Sequence, residues 1–280
     1  MTDGTVEETV RRAAEAGGDV ALEGFRRGSV GETKGGAERV VNAVDVVTEA
    51  DRAAQRRVVE RIREDRTDGV VVGEEEDERK TVPERGLAWV IDPIDGTYNY
   101  VRDMVHWATC VAAVRDGEPL AAATVLPALG DRFVAGSDRV AFDGRGVSVS
   151  ARTDPATFVV TPIALPPYGR RHGYREGIGD LFERFGDVRR IGSIQITLAL
   201  IASGSLDGTV TASTTNPWDT VGGVHMVRLA GGTVTDVEGD PWTPDSRGLV
   251  ASNGNAHEEL LAVAERFDGR HGEDATDTGG

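Results

Sequence analysis

The stretch Trp89-Val90-Ile91-Asp92-Pro93-Ile94-Asp95-Gly96-Thr97 constrains this chain more than any other. A short apolar run bounded by turn formers predicts a buried strand, here one that ends on Asp92. Pro93 fixes its own φ and biases Asp92 toward extended backbone, while Gly96 permits close backbone approach. Asp92 and Asp95 are thereby held rigidly at a strand end, with the Thr97 hydroxyl and free amides beside them. An oxygen-rich pair of this kind suits Mg²⁺. Taken alone, D-x-x-D-G is equally consistent with a turn whose aspartates only cap backbone amides.

The rest of the chain alternates helix and strand. Apolar residues at helical spacing predict an amphipathic helix over 5–26, followed by a glycine- and charge-rich loop over 28–39. Thr48 with Asp51 three residues on is a helix start, in which Asp51 also reads as a first-turn acid complementing the helix dipole. A strand at 70–72 runs into acids; Glu74 comes directly off it, and 76–80 reads as solvated loop. A hairpin is expected from 108–115 and 120–125 around Asp116-Gly117, with further short strands over 131–150. Beyond 155, strands are expected at 158–161, 209–212, 233–237 and 248–251. Helices are expected at 174–185, 194–202, 220–229 and 257–267, the third opened by Asn216-Pro217-Trp218-Asp219 and stopped by Gly231-Gly232. The class is α/β, with helices covering sheet faces. We divide it into an N-terminal half (1–150), a C-terminal half (151–267) and a disordered polar tail (268–280).

Charge and cysteine narrow the partners. A formal charge of −16 over 280 residues disfavours nucleic acid and anionic membranes. Lys34 and Lys80 are the only lysines, and an acidic, lysine-poor surface fits a halophilic protein, although GC-rich coding would also favour arginine. Cys110 is the sole cysteine, which excludes an internal disulfide and a cysteine-based metal site. No signal-type apolar segment or membrane-length run is visible, so a cytoplasmic protein is expected.

Three elements together carry a resemblance. Gly73-Glu74-Glu75, the stretch from Trp89 to Asn99, and Pro217-Trp218-Asp219-x-x-Gly222-Gly223 resemble the inositol monophosphatase family, and Val47-Thr48-x-x-Asp51 matches its earlier element. The resemblance implies the layered α-β-α-β-α sandwich of the inositol monophosphatase and fructose-1,6-bisphosphatase type. It implies two Mg²⁺ ions, the first held by Glu74, Asp92 and the carbonyl of Ile94, the second by Asp92, Asp95 and Asp219. A more weakly held third ion would meet Glu74 through water. Glu74, Thr97 and Asp51 would form the catalytic set, the latter two orienting the attacking water. The amides of Gly96 and Thr97 would receive the phosphate, and Gly192, Ser193 and Asp219 would face the rest of the substrate. A homodimer and lithium inhibition are implied likewise.

The chemistry agrees with this set. A phosphate monoester dianion repels hydroxide and leaves an alkoxide, and two Mg²⁺ about 3.5–4 Å apart neutralise, activate water and support the leaving oxygen. Many inositol-specific members carry an acid seven residues before the W-D aspartate; here that position is Ala212. The loop before Asp45 is longer than usual for the family, so Lys34 cannot be aligned with a family lysine, and Tyr98 and Tyr100 replace commoner residues. The expectation is a Mg²⁺-dependent phosphatase of small polyol or sugar phosphates. Alternatives are a fructose-1,6-bisphosphatase using Arg170, Arg171, Arg175, Arg189 or Arg190, a 3′-nucleotide phosphatase, and a non-catalytic binding protein. Those arginines read equally well as a solvated face.

Overall fold

The computed structural model describes residues 5–26, 32–33, 46–47, 49–75, 78–166 and 172–268. Lys34, Thr48, Arg170, Arg171 and the tail from 269 lie outside the described residues. Helix α1 (Val6–Gly24) is capped by Thr5, whose hydroxyl accepts from the Glu8 amide at 3.2 Å. Strands β1 (Glu32–Thr33) and β2 (Val46–Val47) pair antiparallel ahead of α2 (Glu49–Asp65).

A seven-stranded sheet follows, its strands lying side by side in chain order. They are β3 (Val70–Gly73), β4 (Leu87–Asp95), β5 (Ala108–Arg115), β6 (Glu118–Leu126), β7 (Asp131–Ala135), β8 (Val140–Phe142) and β9 (Arg145–Val147). The short helix α3 (Thr97–Tyr100) joins β4 to β5. Only β3 and β4 run parallel; the remaining pairs are antiparallel. The β5–β6 turn places Asp116 at φ 53° and Gly117 at φ 85°, the mirror-image geometry that suits strand twist and a D-G sequence.

The second sheet has five strands in the order β11-β10-β12-β14-β13. Here β10 is Val159–Pro162, β11 Asp187–Val188, β12 Gly208–Thr211, β13 Thr233–Thr235 and β14 Leu249–Ser252. Its helices are α4 (His172–Arg184), α5 (Ile194–Ala202), α6 (Pro217–Leu229) and α7 (His257–Asp268). Helices α1 and α2 cover the outer face of the first sheet, α5 and α6 lie between the sheets, and α4 and α7 cover the second. The α-β-α-β-α layering is therefore the observed one. Among the described residues no helix is long and apolar enough to cross a membrane.

The period-2 pattern of the strands divides the core. Val72, Val90, Cys110 and Ala112 face inward, onto Leu198 and Val224 of the central helices. Val71, Trp89, Ile91 and Val111 face outward, onto Val10, Val58 and Ile62. All nine residues of β4 are buried as a result. Beyond β4, Tyr100 and Trp107 meet edge to face at 5.0 Å, and the Tyr100 hydroxyl donates to the Ala21 carbonyl at 2.7 Å. Each such aromatic contributes about 1.5–3 kcal/mol by burial, and this pair fastens the end of the D-P-I-D-G segment to α1.

Two expectations change. The strand does not stop at Asp92: it continues to Asp95 through a register shift between Asp92 and Asp95. Helix α6 begins at Pro217 instead of Thr220, because proline fits a first helical position and Asn216 takes the cap. Trp218 and Asp219 consequently lie in the helix's first turn.

Candidate active site

The acids of the first sheet meet the helix ends of the central layer. One carboxylate oxygen from each of Asp92, Asp95 and Asp219 lies within 4.8 Å of the others. Asp92 and Asp95 are buried, as is Asp51, while Glu74 and Asp219 are half-buried. Thr109 donates its hydroxyl to the Pro93 carbonyl at 2.7 Å, which fixes the irregular step between Asp92 and Asp95.

Capping turns out to be part of this arrangement. Asp95 accepts from the amides of Ile194 (3.2 Å) and Gln195 (2.8 Å) and from the Ser193 hydroxyl, all at the start of α5. A carboxylate there also meets the positive end of the helix dipole. Asp219 accepts from the Asn216 amide at 3.0 Å and its side-chain nitrogen at 3.1 Å. A carboxylate offers about four lone-pair directions, so capping leaves capacity for a cation. Asp92 differs, because its Oδ1 is buried with no hydrogen-bond partner. A buried carboxylate oxygen without a donor is costly, and a metal ion is the partner such an atom lacks.

Burial pushes all three acids up. Asp92 stands well above the ordinary carboxylate range through burial, then through the charges of Glu74 and Asp95. Asp95 reaches about 6, burial outweighing the Ser193, Gln195 and Ile194 bonds that favour its charged form. Asp219 reaches about 7 through burial and the neighbouring Glu74. A cation among them would favour the charged form of each. The donor set is all oxygen, which fits Mg²⁺.

Thr97 stands where its hydroxyl meets both the Ile94 carbonyl (3.0 Å) and Asp51 Oδ1 (3.5 Å). Gly96 has φ 91°, and a Cβ there would stand 3.0 Å from the His106 carbonyl. Asn99 donates to the carbonyls of His106 (2.6 Å) and Ile191 (2.9 Å), tying the segment to the residues before Gly192. Glu74, Asp92, Ile94, Asp95, Gly96, Thr97, Gly192, Ser193 and Asp219 all line one cleft of about 170 Å³. Asp51 stands behind it, joined through Thr97.

Further residues belong to this site that sequence reasoning left out. Pro162, Ile163, Ala164 and Leu165 form a wall of the cleft, with Ala164 at φ 51°, a strained value for a residue with a Cβ. Gln55, read only as part of a helix, clasps the loop after β3: its Nε2 donates to the Glu75 carbonyl at 2.7 Å and its Oε1 accepts from the Glu75 amide at 3.0 Å. Lys80, assigned to solvated loop, donates to the carbonyls of Gly73 and Glu74. The two-residue glutamine clasp has no signature in local sequence. A lone lysine seven residues after a strand exit, in a chain with two lysines, was the available signal for the other.

Of the five arginines, Arg190 lines the cleft, Arg189 pairs with Asp187, and Arg175 is exposed on α4. Ala212 packs against the outer core, where its methyl offers no carboxylate to a substrate hydroxyl.

Residues 4–268 match the model of the inositol monophosphatase family. The chain is 32% identical over 232 residues to a fructose-1,6-bisphosphatase/inositol-1-monophosphatase of Thermotoga maritima, covering 81% of this chain and 85% of that one. It is 35% identical over 224 residues to a histidinol-phosphatase of Streptomyces coelicolor, covering 77% and 82%. The structure of a Thermotoga maritima inositol monophosphatase superposes with a TM-score of 0.81 at 29% identity, over 92% of this chain and 96% of that one.

Proposed function

This chain belongs to the inositol monophosphatase family and is a phosphoric monoester hydrolase; from that premise we propose that it acts on small polyol or sugar phosphates with two Mg²⁺ ions in the acidic cleft. The observation that carries the metal reading is the Asp92–Asp95–Asp219 cluster with its buried, partnerless Asp92 oxygen. Glu74, Asp92 and the Ile94 carbonyl would hold the first ion, and Asp92, Asp95 and Asp219 the second. The ions supply charge neutralisation and an acidified water.

The chain's own groups do the positioning. Asp51 accepts the Thr97 hydroxyl proton, so that the Thr97 oxygen turns a lone pair toward the water and takes a hydrogen bond from it. The amides of Gly96 and Thr97 face the phosphate. Gly192 and Ser193 border the alcohol side, the Ser193 hydroxyl itself being engaged with Asp95. In this reading the N-terminal half (1–150) brings most of the ligands, and the C-terminal half (151–267) brings Asp219 and the substrate wall.

One observation favours a second reading, hydrolysis of a bisphosphate. Arg190 is the one arginine among the described lining residues, and a guanidinium suits a second phosphate. The test is phosphate release by EDTA-stripped protein, with and without MgCl₂ at high KCl. The substrates would be inositol 1-phosphate, fructose 1,6-bisphosphate and 3′-phosphoadenosine 5′-phosphate. The monoester of the polyol should lead; a larger kcat/KM on the bisphosphate, lost in Arg190→Ala, moves the assignment to the second reading. No Mg²⁺-dependent release from any of them overturns both. We further read the protein as a cytoplasmic homodimer adapted to salt, on family resemblance and on its acidic, lysine-poor composition; sedimentation and activity across a KCl series test those two points.

A further inference from the structure

Lys80 joins two parts of the site that no covalent path brings close. Its Nζ donates to the carbonyls of Gly73 and Glu74, 2.9 Å each, and stands 5.6 Å from the centroid of the Trp218 ring. The Gly73 amide in turn donates to the Arg79 carbonyl at 3.1 Å. Gly73 is thus tied to both Arg79 and Lys80, with Glu74 facing the cleft and Gln55 clasping the backbone at Glu75. Trp218 precedes Asp219 in the first turn of α6. One ammonium thus bridges the backbone that carries Glu74 and the turn that carries Asp219.

We propose that Lys80 is a positioning residue for the metal site, holding Glu74 and the Asp219 turn at the spacing a Mg²⁺ ion requires. The proposal rests on the metal reading above. Lysine suits the task, since an ammonium has three donors around one point and can address two carbonyls and an aromatic face at once. Arginine's planar fork cannot meet all three in the same way. The sign of the effect separates positioning from plain charge. A cation beside a divalent ion repels it, so removal of Lys80 tightens Mg²⁺ if charge is its whole contribution. If Lys80 positions the ligands, its removal loosens Mg²⁺.

The experiment is calorimetric titration of EDTA-stripped, full-length protein with MgCl₂ alone, for wild type, Lys80→Met and Lys80→Arg, beside thermal unfolding without metal. Lys80→Met should weaken Mg²⁺ binding about tenfold, the size typical when a residue orienting a metal ligand is lost. Lys80→Arg should recover part of that loss, and the KM for the ester at saturating Mg²⁺ should stay at the wild-type value. Mg²⁺ affinity in folded Lys80→Met that equals or exceeds wild type overturns the proposal. Should Lys80→Met fail to fold, Lys80→Gln carries the same decision by the same titration. Wild-type protein that binds no Mg²⁺ defeats the metal reading itself, a result visible before any variant is compared.

Discussion

The two sides of the cleft are built by different means. On the β4 side, Asp92 and Asp95 come from a strand buried along its whole length, and Asp95 is locked to the start of α5 by two amides and a hydroxyl. On the β3 side, Glu74 stands half-buried on a loop whose shape depends on Gln55 and Lys80. Backbone and helix ends hold the first set; side chains hold the second. The β4 side should therefore keep its shape through substitution and lose function by loss of chemistry. The β3 side should lose function by loss of geometry, and more gently.

Asp95→Asn tests the first half of that contrast and should have the largest effect. The amide oxygen can still accept from the Gln195 amide and the Ser193 hydroxyl, and loss of the longer Ile194 bond is offset by removal of a buried charge, so thermal unfolding should change little. Mg²⁺-dependent turnover should fall by about 10³-fold, several kcal/mol of lost charge stabilisation. Full activity in this variant breaks the two-metal assignment. Thr97→Val keeps the size of the side chain and removes the hydroxyl that meets Asp51 and the Ile94 carbonyl. Its kcat should fall about 10²-fold with KM nearly unchanged, as measured by steady-state phosphate release.

Glu74→Gln sharpens the other half. Its loss should surface chiefly as a rise of about tenfold in the Mg²⁺ concentration giving half-maximal rate, with partial recovery at high Mg²⁺. A collapse as deep as that of Asp95→Asn would erase the distinction between the two sides.

The most gradual effect is on pH. The metal-free folded protein holds protons on Asp95 and Asp219 to about 6 and 7, whereas the unfolded chain releases them near 3.8. The folded state binds more protons across that interval, so the contribution of these two acids to the stability of the metal-free protein is fully present below about pH 4 and is lost as pH rises through 6 to 7. Saturating Mg²⁺ replaces those protons and should remove the decline. Thermal unfolding from pH 4 to 8, with and without MgCl₂, reads the difference as a metal-induced Tm increment that grows with pH.

Much of this was legible in the sequence where local rules apply. Helix α5 falls on 194–202 because its apolar run starts after Ser193, whose hydroxyl accepts from the Ile196 amide as a helix cap should. The β5–β6 hairpin follows from Asp116-Gly117. Residues of the D-P-I-D-G, G-E-E and W-D elements, far apart in the chain, line one cleft. What local rules could not supply is contact over distance. Asp95 reaches amides 99 and 100 residues away, and Lys80 meets Trp218, a pairing fixed by the packing of the sheet against the central helices. The alternative of capping or metal binding was also a false choice for Asp95 and Asp219, since each caps a helix and keeps an oxygen near the others.

The irregular step at Pro93 has one more consequence. Side chains three positions apart on a regular strand point to opposite faces. Yet Asp92 lies opposite Cys110 and Asp95 opposite Ala108, partners only two positions apart on β5. The extra residue restores parity and turns both carboxylates into the same layer. This segment therefore guards its length more strictly than its composition. Many single replacements at Pro93 or Ile94 leave the count intact, whereas deletion of either residue keeps both aspartates on one face of a regular strand but removes the bulge, and with it a carbonyl that Thr109 or Thr97 engages.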